Sequence, residues 1–184
     1  MAKQSAWFQW CASLVAFAST LTFAANITPP RLAQDDLYKP GAIVIWLKTH
    51  GATADKETAN AMFNDGLKLK KRGEKGDWDP AVKSFCASAL YYPAPKTLID
   101  CADVQLHSLG VSRQKEKSIS RYKQRDMISI EAIYRSALAA DGVLNALTPS
   151  EKVGIKQNTD CLAAFIRAGK VQADCQPLQT YGLK

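Results

Sequence analysis

The chain has 184 residues, with 24 Lys+Arg against 17 Asp+Glu and a formal net charge of +7. Hydrophobic residues make up 47% and charged residues 22%, which excludes wholesale disorder and allows a packed core. The length suits one domain, since domains typically run roughly 100–150 residues.

Met1 to Ala25 has the pattern of a secretory signal peptide. Lys3 supplies the positive start, and Trp7, Phe8, Trp10, Leu14, Val15, Phe17, Leu21 and Phe23 supply the apolar stretch. Thr22-Phe23-Ala24 is a small-x-small cleavage site, so residues 1–24 are expected to be removed. Gln4, Ser5 and Gln9 shorten the apolar run below the ~20 residues of a membrane span. No later segment is long and apolar enough to take that role. Removal leaves 23 Lys+Arg against 17 Asp+Glu, or +6. It also leaves an even set of cysteines: Cys86, Cys101, Cys161 and Cys175. In an exported chain this predicts disulfides, and so a periplasmic or secreted location. Three pairings are possible. Proximity favours Cys86–Cys101 and Cys161–Cys175, each closing a loop of about 15 residues worth roughly 3 kcal/mol. None of these cysteines has CxxC spacing, and neither His50 nor His107 has a second ligand nearby, so no metal or cofactor is expected.

Residues 25–52 begin as an irregular segment. Thr28-Pro29-Pro30 blocks regular structure and Pro40-Gly41 marks a turn. The apolar run Ala42 to Leu47 is read as a short helix. A helical domain is expected over 53–169. Thr53 is taken as the N-cap of a helix over Ala54 to Arg72, and Asp77 as the cap of the next, which Pro93-Ala94-Pro95 ends. A third helix is placed at Thr97 to Leu109, stopped by Gly110. Ser112 is taken to open a long helix that Asp141-Gly142 interrupts. Thr148-Pro149-Ser150-Glu151 is a strong start signal, with a Thr cap, Pro at the first helical position and Glu three residues after the cap. The last helix should run from Pro149 to Ala168 and stop at Gly169. Residues 170–184 form a tail that Cys175 can tie to this helix. The fold class is all-α: antiparallel helical hairpins stacked together, with about five to seven helices.

One hairpin carries a family pattern. Gly66, Leu69, Gly76-Asp77-Trp78, Ala81, Phe85, Ser88 and Pro93 resemble a tetratricopeptide repeat, a helix–turn–helix of roughly 34 residues. The match covers about residues 59–95 and weakens over 96–142, where an insertion of about twenty residues departs from the family spacing. Gly66 to Gly76 is also longer than usual, and Asp65 sits where the family has an apolar residue. The resemblance implies a protein-binding groove lined by first helices. That assigns Asn60, Phe63, Leu67, Lys70 and Lys71 from one helix, and Thr97, Asp100, Val104, His107 and Ser108 from the next. It also implies that the helices carrying Cys86 and Cys101 are neighbours.

Two segments hold most of the positive charge. Lys68, Lys70, Lys71, Arg72 and Lys75 form one, against Glu74 alone. Arg113, Lys115, Lys117, Arg121, Lys123 and Arg125 form the other, against Glu116. Together they carry +9, so the rest of the mature chain is −3. Arg113, Lys117, Arg121 and Arg125 recur every four residues and would make one stripe on a single helix. Such like-charge neighbours destabilise a helix slightly, so the stripe does not serve its own helix; it reads either as a solvated face that aids solubility or as a contact for an anionic envelope surface or an acidic partner. The basic segments lack interleaved aromatics, which argues against nucleic acid. No nucleophile elbow, HExxH helix or phosphate-binding glycine loop occurs, so the chain is expected not to be an enzyme. The leading expectation is a periplasmic adaptor or assembly factor that binds a protein. Its alternatives are an immunity protein against an envelope-targeting toxin, and a binder of anionic lipid or polysaccharide.

Overall fold

The computed structural model describes residues 28–73, 78–115 and 121–169, together with Cys175 and Leu178. They form a short 3-10 helix, Gln34–Tyr38, and six α-helices: α1 Pro40–His50, α2 Lys56–Gly73, α3 Asp79–Tyr91, α4 Pro95–Lys115, α5 Arg121–Leu144 and α6 Pro149–Ala168. No strand occurs among the described residues. The expected all-helical class therefore holds. The signal peptide, Asp77, Lys75, Lys117 and most of the tail lie outside the described residues; the N-cap position of α3 is Trp78, not the expected Asp77, and it makes no side-chain cap bond.

From α2 onward each helix packs against the next, and α1 returns to pack on α5. Named contacts show that successive helices are antiparallel. Ser88 Oγ donates to the Ala59 carbonyl at 2.7 Å, and Ser84 Oγ to the Met62 carbonyl at 2.9 Å, joining α3 to α2. Gly66 lets these two helices approach. A Cβ there would lie 2.8 Å from the Phe85 ring, which is fully buried. Cys86–Cys101 then bonds α3 to α4 with Cα atoms 5.0 Å apart. The Tyr134 hydroxyl donates to Asp103, joining α5 to α4. Cys161–Cys175 ties α6 to the chain beyond it, with Cα atoms 5.5 Å apart. Both pairings are those that proximity favoured, and such bonds persist in oxidising compartments.

Several boundaries differ from expectation, each for a physical reason. Asp55, not Thr53, caps α2: its Oδ1 accepts from the Thr58 N–H at 2.9 Å. Thr53 instead donates its hydroxyl to the His50 carbonyl. Gly110 does not stop α4, which runs on to Lys115 with Gly110 buried inside it. Asp141-Gly142 does not break α5. Asp141 is buried and holds the turn that follows, accepting from the Leu147 N–H at 2.8 Å and pairing with Lys152. No helix opens at Ser112; that residue belongs to α4, and α5 begins at Arg121. The start of α6 is as read. Thr148 and Glu151 form a capping box, and Gly169 ends the helix with φ 68°.

The segment before α2 is more ordered than its prolines suggest. The run Ala42 to Leu47 is helical, within the longer α1. Leu32, Leu37, Ile43, Trp46 and Leu47 enter the same core as Phe85, Leu98, Leu106, Ile130, Ile133, Tyr134, Leu162 and Phe165. Two backbone-directed bonds fix it there. The Leu32 N–H donates to the Leu90 carbonyl at 2.8 Å, and Ser136 Oγ donates to the buried Leu37 carbonyl at 2.8 Å.

Candidate functional site

The residues assigned to a groove by resemblance meet varied fates. Val104 is fully buried, and Thr97 and Asp100 are nearly so. Phe63 packs edge-on against Phe85, with ring centroids 5.3 Å apart. Lys70 reaches from α2 to Asp100 on α4, Nζ to Oδ1 2.9 Å, so the two helices are bridged rather than parted. His107 stacks on Trp78, centroids 4.2 Å apart and planes 10° from parallel. Burial, and then the charge of Lys70, hold its pKa below the ordinary histidine value. Asn60, Leu67 and Lys71 remain exposed on α2. Ser108 sits at the margin between this face and the other side of α4 and donates to Asp79 at 2.9 Å.

That other side holds a cleft of about 490 Å³, within the ~300–1,000 Å³ range of ligand pockets. Its long wall is one face of α3: Asp79, Val82, Lys83, Cys86, Ala87 and Leu90 follow helical spacing. Gln105, Ser108 and Leu109 of α4 and Asp126, Ser129 and Ile130 of α5 form the facing wall. Arg31, Gln34, Leu37 and Tyr38 from the segment before α1 close it. Of the residues assigned to the groove by resemblance, only Ser108 lines this cleft.

The cleft combines an apolar floor with a polar margin. Leu37, Val82, Leu90, Leu109 and Ile130 supply apolar surface, while Gln34, Gln105 and Ser129 supply hydrogen-bonding groups. The Cys86–Cys101 bond lies at its side, with Gln105 Nε2 3.3 Å from each sulfur. The Arg31 guanidinium sits over the Tyr91 ring at 4.8 Å. Burial, then Asp35 and Asp126, raise the Tyr38 pKa, so its hydroxyl stays protonated. Charges of both signs are present, with Asp79 and Asp126 toward the α3 start and Arg31 near its end. The sequence did contain a signal for this surface. The α3 residues repeat at three and four apart on a face the family pattern leaves unused. The contribution of Arg31, Gln34 and Tyr38 was invisible, because it depends on the 3-10 helix docking on α5.

Chemistry weighed in the sequence is dispersed. Asp100 and Asp103, three residues apart on α4 and so a candidate carboxylate pair, serve different partners: Asp100 pairs with Lys70 and Asp103 accepts from Tyr134. His50 ends α1, exposed, its ring 5.8 Å from that of Trp46. Among the described residues no group of three His, Cys, Asp or Glu side chains could hold a metal. The basic stripe is divided between elements: Arg113 is in α4, Arg121 and Arg125 are in α5, and Lys117 lies outside the described residues. No described helix is long and apolar enough to cross a membrane. Comparison of the chain with protein-family models, curated proteins and solved structures found no match.

Proposed function

We propose that the chain is an exported, non-enzymatic binding protein with a tetratricopeptide-like core, acting as a periplasmic adaptor or assembly factor. Its partner is a protein, held through an extended segment in the α3–α4–α5 cleft. The cleft's shape carries this reading. From Asp79 to Leu90 the lining face of α3 advances roughly 16 Å at ~1.5 Å per residue, the span of about five extended residues. Apolar floor, amide and hydroxyl margin and charges of both signs suit a peptide segment better than one small ion. The disulfide between α3 and α4 supports a pre-formed wall, which lowers the ordering cost of binding. Signal-peptide-like residues ahead of the fold and two disulfides support export.

A photo-crosslinking residue at Lys83, on the cleft margin, tests this in intact envelopes. It should capture one or a few proteins, and Ala87→Arg, which fills the cleft, should abolish capture. A probe at Lys156 on α6 should capture none of them. Equal capture from both positions, or capture unaffected by Ala87→Arg, would overturn the reading.

A further inference from the structure

The two basic segments are more than forty residues apart at their far ends, yet the fold brings them to one end of the molecule. Helices α2, α4 and α6 point one way and α3 and α5 the other, as the contacts Ser88–Ala59, Ser108–Asp79, Tyr134–Asp103 and Gln124–Ile166 require. The end of α2, the end of α4, the start of α5 and the end of α6 therefore share a pole. Lys68, Lys71 and Arg72 lie exposed in the last turns of α2, Arg125 near the start of α5 and Arg167 near the end of α6. Arg113 and Lys115 occupy the last turn of α4, and Arg121 and Lys123 the first turn of α5. Among the described residues, the acids nearest this pole are Asp79 and Asp126, which line the cleft. The opposite end is mixed, with Asp55, Glu57, Asp141 and Glu151 beside Lys56, Lys96 and Lys152.

Helix electrostatics explain only part of this. Cations in the last turns of α2, α4 and α6 complement those helix dipoles. Arg121 and Lys123 do the reverse, since they open α5, whose first turn holds no acid. A helix start disfavours positive charge, so these residues weaken the helix they begin. The cations also spread over four helix ends. Neighbouring helices stand roughly 8–10 Å apart, so no single small anion could touch them together. A broad sheet of negative charge could.

We propose that this pole docks on an anionic phospholipid bilayer, peripherally and without insertion. The interaction is a diffuse attraction of Lys and Arg for head groups. It therefore needs no cradle, and salt weakens it. It rests on the basic pole alone, and it stands whether or not the cleft binds peptide.

Vesicle sedimentation with the mature protein tests the proposal. The protein should bind vesicles of phosphatidylglycerol in phosphatidylcholine at low salt, lose binding as salt rises, and ignore phosphatidylcholine alone. Each basic residue near such a surface contributes roughly fivefold to partitioning. The pair Lys71→Glu and Arg125→Glu should thus weaken binding by roughly 25-fold or more. The pair Lys56→Glu and Lys96→Glu makes the same change in net charge at the opposite end and should weaken it by less than about threefold. All four side chains are exposed, and circular dichroism should show every variant folded. Equal losses in both pairs would mean net charge alone acts, and would overturn the proposal. So would failure to bind anionic vesicles at low salt, or binding confined to an acidic protein.

Discussion

Gly66 and Gly142 lie in helices, where glycine costs roughly 1 kcal/mol relative to alanine. Only one of them has a packing reason to be there. At Gly66 a Cβ would meet the Phe85 ring at 2.8 Å, and that ring is 0% exposed and held by Phe63. The ring cannot move outward, so a methyl group must spread α2 from α3. Overpacking of this kind typically costs about 1–3 kcal/mol, which outweighs the propensity gain in most of that range. At Gly142 a Cβ meets nothing within 4 Å. Gly66→Ala should therefore destabilise by up to about 2 kcal/mol, and Gly142→Ala should stabilise by about 0.5–1 kcal/mol. Urea unfolding of the two variants compares them directly. A stabilised Gly66→Ala would show that the α2–α3 contact is looser than described.

At the scale of elements, Asp141 shows why some boundaries were legible and others were not. The start of α6 could be read because its chemistry is local: Thr148 and Glu151 exchange hydrogen bonds within three residues. The end of α5 could not, because Asp-Gly ordinarily signals a turn and here is carried through by burial. Gly110 was misread for the same reason. The division between α4 and α5 was hidden for the opposite reason, since residues 116–120 contain neither glycine nor proline. Asp141 also links the two elements through the Leu147 N–H and Lys152 Nζ, the latter at 2.6 Å. Burial would raise its pKa, but the bonds from Lys152 and the Leu147 N–H outweigh this and lower it. The sign follows. The folded carboxyl holds its proton less tightly than the unfolded one. Its contribution is complete above the ordinary aspartate value, near 3.8, and is lost as pH falls through the lower folded value. Asp141→Asn keeps an acceptor for Leu147 but not the charge for Lys152. It should cost about 1–3 kcal/mol at pH 7. Its deficit should shrink below pH 4 as the wild-type carboxyl protonates. Parallel stability curves for the two proteins down to pH 2.5 would count against this link.

At the scale of the whole molecule, the segment before α2 closes both the core and the cleft. Leu37 is 2% exposed, its carbonyl is held by Ser136, and its side chain lines the cleft beside Tyr38. A long-range dock of this kind leaves little trace in sequence, because Ser136 and Leu37 are 99 residues apart. The proposed binding role then makes a claim that stability alone does not. Leu37→Ala should cost about 2–5 kcal/mol, the usual range for a buried leucine. Leu162→Ala in α6, also fully buried, should cost a similar amount and lies away from the cleft. Where both variants remain folded, crosslinking from Lys83 should fall several-fold for Leu37→Ala and stay near wild type for Leu162→Ala. A matched loss in both would mean that binding follows global stability. A loss confined to Leu37→Ala would mean that the docked segment shapes the cleft wall, so that the core and the binding surface are built by the same few residues.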